Sequence, residues 1–396
     1  STPAKDAKPT EIPPGWNEWV GGVDPTTYSY YGYTLNVNGR LKTYGKCQHQ
    51  SVTIAPNGTE SNIQNSTNLL DGCKTTSQRG KDGTEYQSDV EASYAESFIS
   101  RNARSKKPYF LWLTPTAPHT TTLTGANEGL PAVPPNRYSK TYSKTTLPNW
   151  PSLDEADVSD KPWLQASFHW FPPMGDAGRA VATNHLRGRL GAVRGLDDMV
   201  ARVVAAVRKS GQENNTLIVY TSDNGWLLGE HRLVGQKFFG FDPSIRVPLY
   251  LKGPGFLGGK KVSVPAVNTD LPLTLAQVAG ATPGRTMDGI SLSTLLAHPS
   301  DWSGRNVLIE TGKNPRGAYY EGVHTPRYHL EIIHGGWLDT RYELYDLQKD
   351  PNEMEAVTDD PKYAGVLSQL ISMTERLAAC KGAACRDTSA QPQPAS

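Results

Sequence analysis

The chain has 396 residues, with 40 basic and 39 acidic side chains and a formal charge of +1. That balance leaves no broad electrostatic case for nucleic acid or an anionic membrane surface, so an anionic ligand has to be met by a few local groups. No apolar run approaches the roughly 18 residues that cross a bilayer, and no secretory leader is visible in the residues that follow Ser1.

Residues 1 to about 30 are rich in Pro, Gly, Thr and Tyr, and the adjacent Pro13 and Pro14 exclude a helix interior, so this stretch reads as a covering loop. Between Tyr33 and Tyr44 apolar and polar residues alternate about Asn38-Gly39, which predicts a hairpin. Residues 45–84 are polar throughout and read as an insertion without regular structure. A helix is predicted over 88–101 and a strand over 108–114, ended by Ala117-Pro118-His119. Residues 120–175 are irregular and proline-rich, as in a functional covering loop. The clearest helix spans 184–209, with Leu186, Leu190, Val193, Leu196, Val200, Val203 and Val207 on one stripe. A buried strand over 217–222 follows, and a further helix over 271–279, giving the rhythm of a doubly wound sheet.

After Asp301 the pattern becomes four short strands, at 306–310, 318–323, 328–333 and 342–347. A terminal helix over 363–379 would turn Val366, Leu367, Leu370, Ile371 and Leu377 inward, and residues past Arg386 read as a disordered tail. The predicted fold class is α/β, with a mixed, mostly parallel doubly wound sheet and a small carboxyl-terminal domain of antiparallel sheet plus helix. The domain boundaries predicted are 1–300 for the α/β part, with the insertion at 45–84, then 301–386 for the small domain and 387–396 for the tail.

Four cysteines form two near pairs, Cys47 with Cys73 and Cys380 with Cys385, and no histidine completes a zinc site, so two local disulfides are expected. The triplets beginning at Asn57, Asn65 and Asn214 fit glycosylation acceptors. Together these favour a secreted or otherwise extracytoplasmic protein.

The chemistry concentrates in Thr221-Ser222-Asp223-Asn224-Gly225-Trp226 through Gly229-Glu230-His231, Gly235-Gln236-Lys237 and Arg246-Val247-Pro248. Asp223 and Asn224 leave the carboxyl end of a buried strand, where open α/β sheets place ligands, and Gly225 permits the break that lets both reach one ion. Hard oxygen donors there suggest a divalent cation. The segment resembles the sulfatase family, in which Ser-Asp-Asn-Gly supplies two calcium ligands and the downstream lysine contacts the sulfate. Pro14-Gly15-Trp16 through Tyr33-Thr34-Leu35 looks like the N-acetylglucosamine-6-sulfatase branch. Leu344-Tyr345-Asp346-Leu347 and Asp350-Pro351-Asn352-Glu353 match its small carboxyl-terminal domain.

The resemblance implies Ca2+ at Asp223 and Asn224, and catalytic and substrate-binding roles for Lys237 and His119. It also implies substrate contact for His231, with a capping or packing role as the alternative, and for His324 at the pocket rim; Arg246 is expected to pair with a carboxylate under the site, and Asp270 lies in a family-like segment. Sulfatases carry a Cys-x-Pro-Ser-Arg segment whose cysteine becomes formylglycine, and no cysteine of this chain is followed by those residues; Ser1-Thr2-Pro3-Ala4-Lys5 echoes the serine form but ends in lysine. The chain therefore reads as the carboxyl-terminal majority of a sulfatase, with sheet edges and apolar surface exposed and no activity of its own. The expected partner is a sulfated small molecule or glycan, with no nucleic acid and no membrane. Two alternatives stand beside this reading: a nucleophile-less protein that binds sulfated glycans, and a phosphonate or phosphate monoester hydrolase on the same fold.

Overall fold

The computed structural model describes residues 8–24, 26–45, 49–54, 60–66, 80–121, 130–166, 172–256, 258–313, 317–335 and 339–395; at 49–54, 60–66 and 165–166 it describes the backbone alone. Two compact units result, one of 1–148 with 176–216 and one of 149–175 with 217–396.

In the first unit Tyr33–Val37 and Arg40–Tyr44 form the predicted hairpin, with Asn38 and Gly39 both at positive φ (50° and 84°), as a two-residue turn between right-twisted strands requires. Val20–Gly22 adds a third antiparallel strand, so part of the expected covering loop is ladder. Tyr33 and Leu35 bury against Val90 of the helix Gln87–Asn102. The 45–84 segment also carries more order than its polar composition suggests: His49–Ile54 pairs with Glu60–Ser66. Val52, Thr53 and Ile54 there are β-formers, and the pairing of the two strands satisfies their backbone groups. The Cys47–Cys73 pairing, the acceptor at Asn57 and the Ser1–Lys5 echo lie outside the described residues.

The long helix begins at Gly175, ahead of the expected start, and its buried line follows the aliphatic stripe only in part, at Leu196 and Val207. His185, Gly188, Gly191, Ala192, Gly195, Leu196 and Met199 face inward, while Val193 is exposed. The proline-rich strap explains the rotation. A Cβ on Gly188 would stand 2.4 Å from the Ala132 carbonyl oxygen, and one on Gly191 2.6 Å from Pro134. Close approach of backbone selects the small residues and turns larger ones outward.

The expected strand over 108–114 forms no ladder among the described residues. An extended apolar run is a strand only when a neighbour takes its N–H and C=O groups. Here Phe110 and Trp112 remain 59% and 66% exposed and flank Trp16 at 6.2 and 6.0 Å.

In the second unit Ile218–Thr221 pairs antiparallel with Leu249–Lys252, in place of the parallel unit that a βαβ rhythm predicts; every ladder among the described residues is antiparallel. The one helix between these strands is the short Asp242–Ile245, too little for a crossover. Val307–Glu310, Tyr319–His324, Tyr328–His334 and Arg341–Asp346 form a four-stranded antiparallel sheet in sequence order. The helix Ala364–Ala378 lays Val366, Leu370, Met373 and Leu377 against Val323, Tyr328, Leu330 and Leu344 of this sheet. Cys380 and Cys385 are joined. The expected disordered tail is anchored: Asn306 donates its backbone N–H to the Asp387 carbonyl at 2.9 Å, and Arg376 meets the Asp387 carboxylate at 2.8 Å. Asn306 lies 81 residues from Asp387, which is why composition gave no sign of the anchor. No helix among the described residues is long and apolar enough to cross a membrane.

Candidate functional site

Strand alternation ends at Thr221, and the next four residues build a turn from their own side chains. Ser222 Oγ donates to the Asn224 carbonyl at 2.9 Å, Asp223 Oδ1 accepts the Asn224 N–H at 3.0 Å, and Asn224 Nδ2 donates to the Gly225 carbonyl at 2.8 Å. Because the amide nitrogen of Asn224 is committed to Gly225, its oxygen is the end left to face a cation. Gly225 and Trp226 donate their N–H groups to the carbonyls of Ser244 and Pro243 at 2.7 and 2.8 Å, stapling the turn to the segment around the short helix Asp242–Ile245.

Asp223 is exposed and Asn224 half-buried. Both present hard oxygens of the kind calcium takes, but a calcium ion needs about six to eight. Among the described residues no cluster of three or more His, Cys, Asp and Glu could hold a metal. The pair therefore fits a hard cation as part of a donor set and not as a complete site.

Lys237 follows the strand Val234–Gln236, which pairs with Leu227–Leu228 immediately after the turn. Its ammonium stands 6.0 Å from the centroid of the Trp226 ring, two residues beyond Asn224, and its carbonyl accepts a hydrogen bond from Ser244 Oγ at 2.7 Å. The structure thus sets the Lys237 ammonium near the Trp226 ring, next along the chain from the turn that carries Asp223 and Asn224.

His231 is only 1% exposed, sits at φ 51° and stacks on Phe241 at 4.0 Å. Its Nδ1 lies 2.6 Å from Glu155 Oε2, while the other oxygen of Glu155 meets the enclosed Lys161 ammonium at 2.9 Å. As placed, the imidazole supports the loop from beneath. His324, at the end of its strand and a quarter exposed, has Nε2 3.0 Å from Asp242 Oδ1. Burial pushes the Asp242 carboxyl up, but the hydrogen bonds from His324 and from Arg246 outweigh it and hold the group at about 2. Arg246 reaches Asp242 at 2.8 Å, the structural ion pair expected of it.

His119 belongs to the first unit and follows a cis Ala117-Pro118 bond. Its Nδ1 lies 2.8 Å from the Thr120 carbonyl oxygen, a hydrogen bond in which Nδ1 carries a proton and donates it. Tyr28 stacks on the imidazole at 4.5 Å, and Tyr30 donates its hydroxyl to the His119 carbonyl at 2.6 Å.

Sequence reasoning missed the buried charges around this segment. Glu331, Glu343, Glu353 and His329 are at most 1% exposed. Burial pushes the Glu343 carboxyl up to about 7 and Glu331 well above the usual carboxylate range. Glu331 and Glu343 alternate with apolar residues along their strands, the pattern of a solvent face, so period alone could not reveal that both faces are covered.

A family model described as Sulfatase matches residues 26–281, and one described as N-sulphoglucosamine sulphohydrolase, C-terminal, matches 229–380. An arylsulfatase of Chlamydomonas reinhardtii is 29% identical over 433 aligned positions, covering 94% of this chain and 65% of that protein. The N-acetylglucosamine-6-sulfatase of Homo sapiens is 26% identical over 410, covering 95% and 64%. The chain thus spans just under two thirds of the length of these relatives. A solved structure described as a complex with its substrate D-glucosamine-2-N,6-O-disulfate superposes with a TM-score of 0.68 at 19% identity, covering 92% of this chain and 76% of that one. The phosphonate monoester hydrolase from Silicibacter pomeroyi gives 0.59 at 22%, covering 76% and 63%. These likenesses show the α/β fold.

Proposed function

The chain belongs to the sulfatase family, and from that premise we propose that it is the recognition part of a sulfuric ester hydrolase acting on a sulfated sugar or an aryl sulfate. The observation that supports this most directly is the turn carrying Asp223 and Asn224 with the Lys237 ammonium packed beside Trp226. A cationic group next to hard oxygen donors is the arrangement that holds a sulfate oxygen and stabilises negative charge on the transferring group. The names of the relatives, N-acetylglucosamine-6-sulfatase among them, support a sulfated sugar as the substrate class.

Asp223 and Asn224 would hold the calcium ion, which supplies charge neutralisation to the bound sulfate group. Lys237 binds a sulfate oxygen and steadies the leaving oxygen; for His119 the proposed role, a hydrogen bond to the sulfate or leaving group, rests on the family resemblance of its segment. His324 contributes at the rim from its place beside Asp242, and His231 from beneath, through the loop it supports. A formylglycine nucleophile is not available from Cys47, Cys73, Cys380 or Cys385, none of which precedes x-Pro-Ser-Arg. The 396-residue chain by itself is accordingly proposed to be inactive. The Cys380–Cys385 disulfide and the extracellular sulfatases among the relatives support an extracytoplasmic location.

Two other readings have an observation behind them. A protein that binds sulfated glycans without cleaving them needs only the cation and oxyanion groups proposed above, and the likeness to a phosphonate monoester hydrolase fits that activity on the same fold. The test is turnover of an aryl sulfate and of an aryl phosphonate monoester by the chain alone and by the protein encoded in full by its gene. Sulfate turnover by the full protein only is the expected result. Turnover by the 396 residues alone refutes the inactivity, and turnover of the phosphonate in preference replaces the sulfatase reading.

A further inference from the structure

Glu353 has a left-handed backbone (φ 57°) and a side chain that is 1% exposed. One of its carboxylate oxygens accepts the backbone N–H of Asp242 at 2.9 Å; the other lies 2.5 Å from His329 Nδ1. The two oxygens are therefore spent on two different parts of the second unit: the start of the Asp242–Ile245 helix and a strand of the carboxyl-terminal sheet. That helix in turn fixes the loop before it, because Ser244 Oγ holds the Lys237 carbonyl at 2.7 Å. Between them, Gly240 approaches Glu331 so closely that a Cβ there would stand 2.2 Å from Glu331 Oε1.

We propose that Glu353 is a positioning residue for oxyanion binding: from the carboxyl-terminal sheet it fixes the 237–246 segment, and through Ser244 it sets where the Lys237 ammonium stands. The inference rests on the reading of Lys237 as the sulfate-binding group. A buried, doubly engaged carboxylate is a rigid anchor, and small displacements of a charge that meets an oxyanion are costly. A purely stabilising ion pair would hold the sheet together without regard to Lys237.

The test is calorimetric binding of inorganic sulfate, with calcium present, to the protein encoded in full by its gene, as wild type, Lys237→Ala, Glu353→Gln and the double variant. Gln keeps an acceptor for the Asp242 N–H but turns a donor toward His329, so the anchor loosens without losing its shape. Glu353→Gln is expected to weaken sulfate binding about tenfold and to add nothing further in the Lys237→Ala background, the non-additivity of residues acting through one group. If Lys237→Ala weakens binding and Glu353→Gln leaves it unchanged, or if the two effects simply add, the positioning role is overturned. If Lys237→Ala itself has no effect, the underlying site assignment fails instead. Should Glu353→Gln not fold, Ser244→Ala replaces it, since it cuts the link to Lys237 and leaves the buried charges paired; unchanged sulfate binding there overturns the proposal equally.

Discussion

Asp270 and Arg305 form an enclosed pair: the guanidinium reaches the two carboxylate oxygens at 2.7 and 2.9 Å, with both side chains at most 3% exposed. The same carboxylate accepts the N–H groups of Val267 at 2.9 Å and Ile290 at 2.8 Å, so it organises the turn before its own helix and a segment twenty residues on. The family-like position of Asp270 thus has a structural use. Arg305→Ala strands a buried carboxylate, and the unfolding free energy is expected to fall by about 3–5 kcal/mol. Urea titration measures it; a loss under about 1 kcal/mol, the range of an exposed pair, would show that water reaches the site.

Glu91, on the helix Gln87–Asn102, has Oε2 enclosed and without a hydrogen-bond partner, and burial pushes its carboxyl up to about 8. The sign follows from proton binding. Between its ordinary value near 4.5 and about 8, the folded state holds this proton and the unfolded chain does not. The stabilisation is thus whole below 4.5 and is lost as pH rises through 8. Glu91→Gln, which stays neutral, is expected to flatten the stability profile between pH 5 and 8 by up to about 1.4 kcal/mol per pH unit. Stability curves of the two proteins that run parallel across this window would exclude the buried-acid account.

Local signals and their physical reach explain what was legible. Asn38-Gly39 fixed a hairpin because the turn demands positive φ at two residues, and the Val366–Leu377 periodicity marked the terminal helix because one sheet covers that face. The turn at Asp223 and Asn224 and the contact of Lys237 with Trp226 join near neighbours in sequence, within reach of a local reading. The rest depended on partners distant in sequence. The glycine face of the long helix is chosen by Ala132 and Pro134, the anchoring of Asp387 by Asn306, and the inward turn of His231 by Glu155. A charged residue in an alternating strand, such as Glu331, reads as solvent-facing until the second covering layer is known.

Asp223→Ala removes the charged half of the proposed calcium pair. In the full-length protein with calcium at about a hundred times its dissociation constant, the wild type is expected to gain about 2.7 kcal/mol of stability over its chelator-treated form. Asp223→Ala should gain little at the same calcium concentration, with affinity lowered at least about tenfold. Thermal unfolding with and without chelator decides it. Equal calcium responses in both proteins would show that any calcium is held elsewhere.

Gly225 is the point where the turn and the 241–245 segment meet, and the reason no side chain is tolerated there is steric rather than conformational. An added Cβ would stand 2.0 Å from the Pro243 carbonyl oxygen and 2.9 Å from that of Ser244. Both carbonyls are held in place by the N–H groups of Gly225 and Trp226, so the clash falls on backbone that cannot swing away. Gly225→Ala is therefore expected to cost about 1–3 kcal/mol as the staple is forced open. Because the displaced segment carries Ser244, which holds Lys237, sulfate binding should weaken with it. Gly284→Ala is the control: nothing lies within 4 Å of its Cβ position, and its effect should stay within about 0.5 kcal/mol. Paired urea titrations and sulfate calorimetry on the two variants separate the contributions. Destabilisation by Gly225→Ala with intact sulfate binding would mean that the turn can part from the helix without moving the ammonium, and the link from turn to oxyanion site would be broken.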